Sequence, residues 1–213
     1  MPLPDASTLL VFAGAALALL VVPGPAVLYI VTRGIEQGRT AALVSMLGVQ
    51  AGALVHVVAA AIGLSALLVQ SATAFAVVKY AGALYLVFLG LRKLFGGERV
   101  QPVHGRPPRR LRRLFGEGIV VNVLNPKAAL FFLAFLPQFV DPDAGSVGLQ
   151  IALLGLLFIL IAIVSDGLYA LAAGTAGSWL RSSPRFLLAE RWVGGSVLVG
   201  LGLTTALSGS RER

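Results

Sequence analysis

Charged side chains inside long apolar stretches are the residues of this sequence most able to do chemistry. They are Lys79, Lys127 and Asp166. At membrane depth each costs at least about 2.5–3.5 kcal/mol, so each needs a partner or a role. Lys79 lies near one end of its stretch, and we expect it to snorkel to the interface. Lys127 and Asp166 are therefore the main candidates.

Asp166 is the acid that lies deepest in an apolar stretch. It shares a helical face with Ala162, Tyr169 and Ala173, and small residues at this spacing favour close helix packing. We therefore expect Asp166 to face protein or water rather than lipid. A carboxylate there can bind a substrate ammonium group or carry a coupling proton. The alternative is a structural ion pair with Lys127.

Lys127 follows directly on Asn125-Pro126. Its ammonium group can attract a substrate carboxylate or pair with an acid. A snorkelling lysine is the structural alternative. Both interpretations stay open from the sequence.

His56 is the histidine inside an apolar stretch, on a stripe of small residues that includes Gly48 and Gly52. The Gly-x-x-x-Gly spacing permits close backbone approach. A histidine there titrates near neutral pH, which makes His56 a second candidate for proton coupling. A neutral imidazole that bonds across helices is the alternative.

The inventory of side chains excludes several kinds of chemistry. The chain has no cysteine, so disulfides, thiolate metal sites and cysteine nucleophiles are absent. One histidine and one aspartate inside the apolar stretches fall short of a zinc site, and no phosphate-binding Gly-x-x-x-x-Gly-Lys-Ser/Thr motif occurs. We therefore expect neither a metal site nor direct use of ATP.

Proline interrupts two of the apolar stretches. Pro23-Gly24-Pro25 lies within the first stretch and Asn125-Pro126 within the fourth. Proline removes a backbone donor, and in lipid the freed carbonyl must find another partner. We expect an unwound turn at Pro23-Gly24-Pro25 and a kink at Asn125-Pro126, where the Asn125 amide can bond a freed carbonyl. Interrupted helices in corresponding positions are typical of a transporter site, and prolines that only kink are the alternative.

The composition fits a membrane protein, with 57% hydrophobic and 12% charged residues. About 20 apolar residues span a bilayer as a helix. Six stretches qualify, of which the last is short and glycine-rich. Their approximate limits are residues 8–31, 41–69, 74–91, 114–138, 147–179 and 192–208. We therefore predict an all-α polytopic membrane protein with six transmembrane helices.

The net charge of +8 is concentrated in three connections, which hold 13 of the 17 Lys and Arg residues. They lie between the first and second, third and fourth, and fifth and sixth stretches. The positive-inside rule then places these connections in the cytoplasm and both termini outside. Anionic lipid is the expected partner of the basic loops, and nucleic acid is not expected because no aromatic residues are interleaved with the basic ones.

The basic linker at about residues 95–113 divides a single transporter domain, residues 1–213, into two halves. The halves, about 8–94 and 114–208, contain three spans each. An odd number of spans per half requires opposite orientations if the halves are related. We predict two inverted three-helix repeats, with the first helix of each broken at proline.

The chain resembles the lysine exporter superfamily, within it the branch that exports homoserine, threonine and leucine. The resemblance runs from about residue 8 to residue 207, and several motifs in order carry it. They are Pro23-Gly24-Pro25, Arg33-Gly34, Gly38-Arg39, Leu47-Gly48 with Gly52, Gly63-Leu64, Lys79 to Leu86 with Gly90, and Asn125 to Phe132.

The resemblance implies efflux of amino acids or their derivatives across the bacterial inner membrane, driven by an ion gradient that is commonly a proton gradient. It implies a transporter without a cofactor rather than an enzyme. It implies signature positions at Pro23, Gly24, Pro25, Asn125, Pro126 and Lys127. Asp166 joins them as a substrate-binding candidate from the residue pattern alone. A metal or other inorganic-ion exporter on the same scaffold and an intramembrane enzyme acting on lipid-linked substrates are the alternatives, and a homo-oligomer is possible from the glycine stripes.

Overall fold

A computed structural model describes residues 5–70, 72–96, 109–182 and 184–207. Those residues form helices and short connections without a strand. The helices are α1 (Ala6–Val21), α2 (Pro25–Gln37), α3 (Arg39–Gln70), α4 (Ala72–Phe95), α5 (Leu111–Val123), α6 (Pro126–Leu130), α7 (Val147–Ser182) and α8 (Pro184–Leu207). A π-helical turn, Phe131–Phe135, and a 3₁₀ turn, Leu136–Phe139, continue α6, and a second 3₁₀ turn spans Pro142–Ala144.

The first break separates α1 from α2 by a bend of 50°. Val22 and Gly24 adopt extended backbone conformations, and Pro25 occupies the first turn of α2. Proline suits that position because its missing N–H would have no helical partner there. The unwound turn expected at Pro23-Gly24-Pro25 is therefore confirmed.

The second break separates α5 from α6 by a bend of 48°. Asn125 caps α6, because its side chain accepts a hydrogen bond from the backbone N–H of Lys127 at 3.1 Å. Pro126 again occupies the first turn. The expected kink is confirmed, but the Asn125 side chain caps the new helix instead of bonding a freed carbonyl.

Helices from the two halves of the chain pack against one another. Helix α3 contacts both α5 and α7, helix α7 also contacts α1 and α2, and α4 pairs with α8. A Cβ atom at Gly52 would lie 2.8 Å from the carbonyl oxygen of Ile119, so glycine is needed for the close approach of α3 and α5. The Gly48 and Gly52 spacing thus serves packing within this chain.

Two helical stretches, Arg39–Gly63 and Val147–Ala173, are long and apolar enough to cross a membrane, and up to four are if each bent pair counts as one span. These numbers refer to the described residues alone. Large apolar side chains stay exposed on the outer faces of the helices; Leu10, Leu84 and Leu124 are more than 70% exposed. Such faces fit contact with lipid.

Each of the six predicted stretches coincides with a helix or a bent helix pair, although the bounds differ. The last apolar stretch is short, as expected: it covers Arg191–Leu207, within the longer helix α8. Most of the basic linker, residues 97–108, lies outside the described residues, as do both chain ends, and the six-span inverted repeat stays a prediction.

Candidate functional site

A small cavity lies between the two helix breaks, with walls from α1, α2, α3, α5, α6 and α7. Its volume is about 40 Å³, which holds a few water molecules and falls far short of a typical ligand pocket. The polar residues of its wall are Gln50, Asn122, Asn125, Lys127 and Asp166. Apolar side chains such as Leu19 and Phe158 complete the lining.

Asp166 lies on α7 and is buried, with 3% of its surface exposed. Its Oδ2 atom accepts a hydrogen bond from Nε2 of Gln50, on α3, at 2.8 Å. Its Oδ1 atom is buried and has no hydrogen-bond partner in the described part of the chain. The expectation that Asp166 faces protein is confirmed. One carboxylate oxygen therefore has unused accepting capacity beside the cavity.

Lys127 reaches from the second break to the first. Its Nζ atom donates hydrogen bonds to the carbonyl oxygens of Leu19 at 2.6 Å and Val22 at 2.5 Å. These carbonyls end α1, where the helix dipole is negative and a cation is favoured. In this structure the ammonium group of Lys127 thus has partners within the protein. The sequence alternatives had missed this backbone role.

Gly24 makes room for that lysine. A Cβ atom at Gly24 would lie 3.2 Å from Cδ of Lys127. The stem of Lys127 thus crosses directly over the glycine of the first break. A side chain at position 24 would compete with Lys127 for the same space.

Pro25 and Pro126 each leave the carbonyl four residues earlier without its helical N–H donor. For Pro25 this is the carbonyl of Val21, which accepts a hydrogen bond from the hydroxyl of Tyr169 at 2.8 Å. For Pro126 it is the carbonyl of Asn122, which lies 2.9 Å from Nε2 of His56. Because a carbonyl only accepts, Nε2 of His56 carries the hydrogen.

The amides of the second break form a short chain. Asn125 donates from Nδ2 to Oδ1 of Asn122 at 3.3 Å, and Asn122 donates from Nδ2 to the carbonyl of Val49 at 2.8 Å. Both asparagines are buried. These two hydrogen bonds join the second break to α3 and present amide groups to the cavity.

The structure brings together four of the predicted site residues, since Gly24, Asn125, Lys127 and Asp166 all line the cavity. Pro23, Pro25 and Pro126 shape the breaks and are not part of the wall. His56 also lies outside the wall, stacked on the ring of Phe132 at 5.8 Å.

Gln50 and Asn122 are cavity residues that sequence reasoning missed. Both are amides inside apolar stretches, a type that bonds across helices, so their chemistry was a usable signal. Asn122 also precedes Asn125 by three residues, close to one helical turn.

The expectation for Lys79 is wrong. Its side chain is 4% exposed, with Nζ 5.5 Å from the ring centre of Tyr80, and it does not extend to the surface.

A cluster of charged side chains ties α2 to α5 on the side of the basic linker. Nη1 of Arg33 donates to Glu36 at 2.5 Å, and Glu117 accepts hydrogen bonds from Arg109 and from Arg113. Arg33 also lies 3.7 Å from Glu117. No group of three His, Asp or Glu side chains suited to a metal occurs among the residues that the structure describes.

Comparison with known proteins connects this site to a family. The family model for LysE type translocators matches residues 17–161. A membrane protein of Vibrio cholerae is 33% identical over 86% of this chain and 89% of its own length. The homoserine/homoserine lactone efflux protein of Salmonella typhimurium is 31% identical over 86% of this chain and 88% of its own length. The leucine efflux protein of an Enterobacter strain is 31% identical over 70% and 71% of the two chains. No solved structure matches the chain.

Proposed function

Because this chain belongs to the LysE type translocator family, we propose that it is a secondary exporter of amino acids or amino-acid derivatives, coupled to protons. The family resemblance found in the sequence is confirmed, and it makes the chain a multi-pass membrane transporter rather than an enzyme. The homoserine, homoserine lactone and leucine named for two relatives share an ammonium group, which is the chemistry that the cavity has to recognise.

The observation that carries the proposal is the carboxylate of Asp166. Its Oδ1 atom is buried on the cavity wall without a hydrogen-bond partner in the described part of the chain. Burial of an unpaired acceptor is costly, and a substrate ammonium group supplies both a donor and the opposite charge. Asp166 is thus the proposed anchor for the ammonium group.

Lys127, Asn125 and the first break form the opposite side of the proposed site. Lys127 donates to two carbonyls at the end of α1, so its charge stabilises the first break. Amide groups of Asn122 and Asn125 supply neutral donors and acceptors for the rest of the substrate. A cavity of about 40 Å³ must widen before an amino acid fits, as expected when access alternates between the two membrane sides.

Asp166 is also the first candidate for proton coupling. A carboxylate that binds either a proton or a substrate ammonium group exchanges one for the other across the membrane. His56 is the second candidate, because its ring bonds a carbonyl at the second break. Proton-coupled uptake, measured after substitution of Asp166 or of His56, shows which of the two residues carries the proton.

We extend the proposal to the architecture, with six spans in two inverted repeats. In support, exchange of the two halves maps several of the helix contacts onto one another. The bent pair α1–α2 packs on α7 and the bent pair α5–α6 packs on α3, while α3 meets α7 and α4 meets α8. The bends of 50° and 48° also agree.

The same topology places the basic loops in the cytoplasm of a bacterial cell, against anionic lipid of the inner membrane, with both termini outside. A reporter fused to the C-terminus tests this. The reporter is one that works only in the cytoplasm. Activity of this fusion would place the C-terminus inside and contradict the six-span arrangement, but it would not contradict the proposed export activity.

Uptake into inverted membrane vesicles tests the function. Vesicles that contain the protein, acidified inside, should accumulate radiolabelled leucine, homoserine or another member of an amino-acid panel, since export in the cell becomes uptake in the inverted vesicle. Dissipating the pH gradient should abolish accumulation. Absence of saturable uptake for the whole panel, including homoserine lactone, would refute the proposal.

Asp166→Asn and Asp143→Asn form a matched pair for this assay. Each replaces one carboxylate by an amide, but Asp143 lies in the exposed 3₁₀ turn and not in the cavity wall. Only Asp166→Asn should impair uptake. Equal activity of the two variants would remove Asp166 from the site.

A further inference from the structure

We infer that Tyr169 and His56 are a matched pair of positioning residues, each of which holds the proline break of the opposite half of the chain. The inference rests on the proposed transport function and adds to it the two residues that set the shape of the cavity. It comes from one geometric relationship that occurs twice, at Val21 and at Asn122.

The first member is Tyr169, on α7 in the second half. Pro25 has no N–H, so the carbonyl of Val21 loses the donor that a continuous helix would provide. The hydroxyl of Tyr169 donates to that carbonyl at 2.8 Å. Tyr169 follows Asp166 by three residues, so one face of α7 contacts both the cavity and the first break.

The second member is His56, on α3 in the first half. Pro126 leaves the carbonyl of Asn122 without its helical donor, and Nε2 of His56 lies 2.9 Å from that oxygen. The backbone N–H of Asn125 also donates to the same carbonyl at 3.0 Å, so His56 adds a second hydrogen bond to it. His56 follows Gln50 by six residues on the same helix.

The two helices meet at the cavity, because Gln50 of α3 donates to Asp166 of α7 at 2.8 Å. Each helix therefore carries a polar cavity residue together with the residue that bonds the opposite break. A substrate ammonium group that binds the free Oδ1 atom of Asp166 lies next to this bond between the two helices. Movement of α3 relative to α7 on substrate binding would reach both breaks through Tyr169 and His56.

Single-cysteine labelling tests the pair without requiring transport. The chain has no cysteine, so Ala53→Cys supplies one thiol on the cavity wall, at a position that is 1% exposed. Reaction of that thiol with a water-soluble maleimide in the reconstituted protein reports how often the cavity opens. The parent for every comparison is the Ala53→Cys protein.

Tyr169→Phe and His56→Leu each remove one side-chain hydrogen bond to a break. We expect each to raise the labelling rate roughly five- to tenfold, which is the factor that one hydrogen bond of ordinary strength contributes. Tyr85→Phe is the control, since the Tyr85 hydroxyl makes no hydrogen bond within the described residues and α4 does not line the cavity. It should label at the parent rate.

Rescue by a conservative variant separates positioning from titration. His56→Gln keeps a nitrogen donor for the carbonyl of Asn122 but does not titrate. It should restore the parent labelling rate, because labelling depends on this hydrogen bond and not on a change of charge. Tyr169→Phe should lower the maximal uptake rate while the half-saturating concentration stays within about twofold, because the groups that touch the substrate remain.

The labelling rates of the variants decide whether Tyr169 and His56 hold the breaks. A labelling rate at or below the parent in Tyr169→Phe or His56→Leu, with correct assembly shown by size-exclusion chromatography, overturns the matched pair. Failure of His56→Gln to restore the rate overturns the role of the His56 hydrogen bond. If the wild-type protein transports nothing, the proposed function fails, and the labelling rates still decide whether the two residues hold the breaks.

Discussion

The Nζ atom of Lys127, at the second helix break, donates a hydrogen bond of 2.5 Å to the carbonyl of Val22, at the first. The two residues are 105 positions apart in the chain. A second bond from the same ammonium group reaches the carbonyl of Leu19. One lysine thus closes the end of α1 and joins the two interrupted helices across the cavity.

Removal of the Lys127 charge should destabilise the protein. Lys127→Met keeps the length of the side chain but leaves two carbonyls without a donor, and charge-assisted hydrogen bonds are the stronger kind. We expect the free energy of unfolding to fall by about 2–3 kcal/mol, measured by thermal unfolding in detergent. Lys127→Arg, which keeps the charge, should retain part of the stability. A Lys127→Met protein as stable as wild type would contradict the role of these bonds.

A bulky residue at Gly24 should act through Lys127. Gly24 is in an extended conformation that other residues adopt, so the obstacle is the contact of 3.2 Å with Cδ of Lys127. Gly24→Ala should cost less than about 1 kcal/mol, since a flexible stem can move by a few tenths of an ångström. Gly24→Leu should cost more, and the cost should shrink in a Lys127→Ala background. Additive effects in this double-mutant cycle would disprove the coupling.

Loss of the Asp166 charge should affect transport more than folding. Asp166→Asn preserves the shape and can still accept from Gln50, but it offers no negative charge to an ammonium group. We expect the half-saturating substrate concentration to rise roughly tenfold or more, and accumulation to lose its dependence on the pH gradient. Vesicle uptake at several external pH values measures both effects. Unchanged dependence on the gradient would assign coupling elsewhere, with His56 as the next candidate.

The ammonium group should be the recognised part of the substrate. N-acetyl-leucine has the leucine side chain and a carboxylate but no ammonium group, so it cannot pair with Asp166. We expect it to leave radiolabelled leucine uptake unaffected at concentrations at which unlabelled leucine competes fully. If leucine itself is not carried, the N-acetyl form of the amino acid found in the panel serves instead. Equal competition by both compounds would rule out the ammonium anchor.

Close packing of α3 on α5 should make Gly52 intolerant of side chains. A Cβ atom there would lie 2.8 Å from the carbonyl oxygen of Ile119 and 2.9 Å from Cβ of Asn122. We expect Gly52→Val to lower the free energy of unfolding by about 1–3 kcal/mol and to reduce the folded yield. Gly14→Ala is the matched control, because a Cβ at Gly14 meets no atom within 4 Å. A well-folded Gly52→Val protein would show that the helices can separate.

The sequence predicted the features that depend on local chemistry. Proline lacks an N–H wherever it lies, so both breaks were placed correctly, at Pro23-Gly24-Pro25 and Asn125-Pro126. Long apolar stretches located the helices, and the cost of charge in lipid identified Asp166 and Lys127. Four of the predicted site residues line one cavity in the structure.

The partners of these residues were decided by the tertiary structure alone. Lys127 bonds carbonyls of the opposite half, and Asp166 bonds Gln50, which is 116 positions away. A backbone carbonyl has no signature in the sequence, and helical periodicity shows which face is polar but not which helix meets it. The packing of α3 on α5 and of α7 on α1 and α2 determined that Tyr169 and His56 would each bond the carbonyl freed by a proline in the other half.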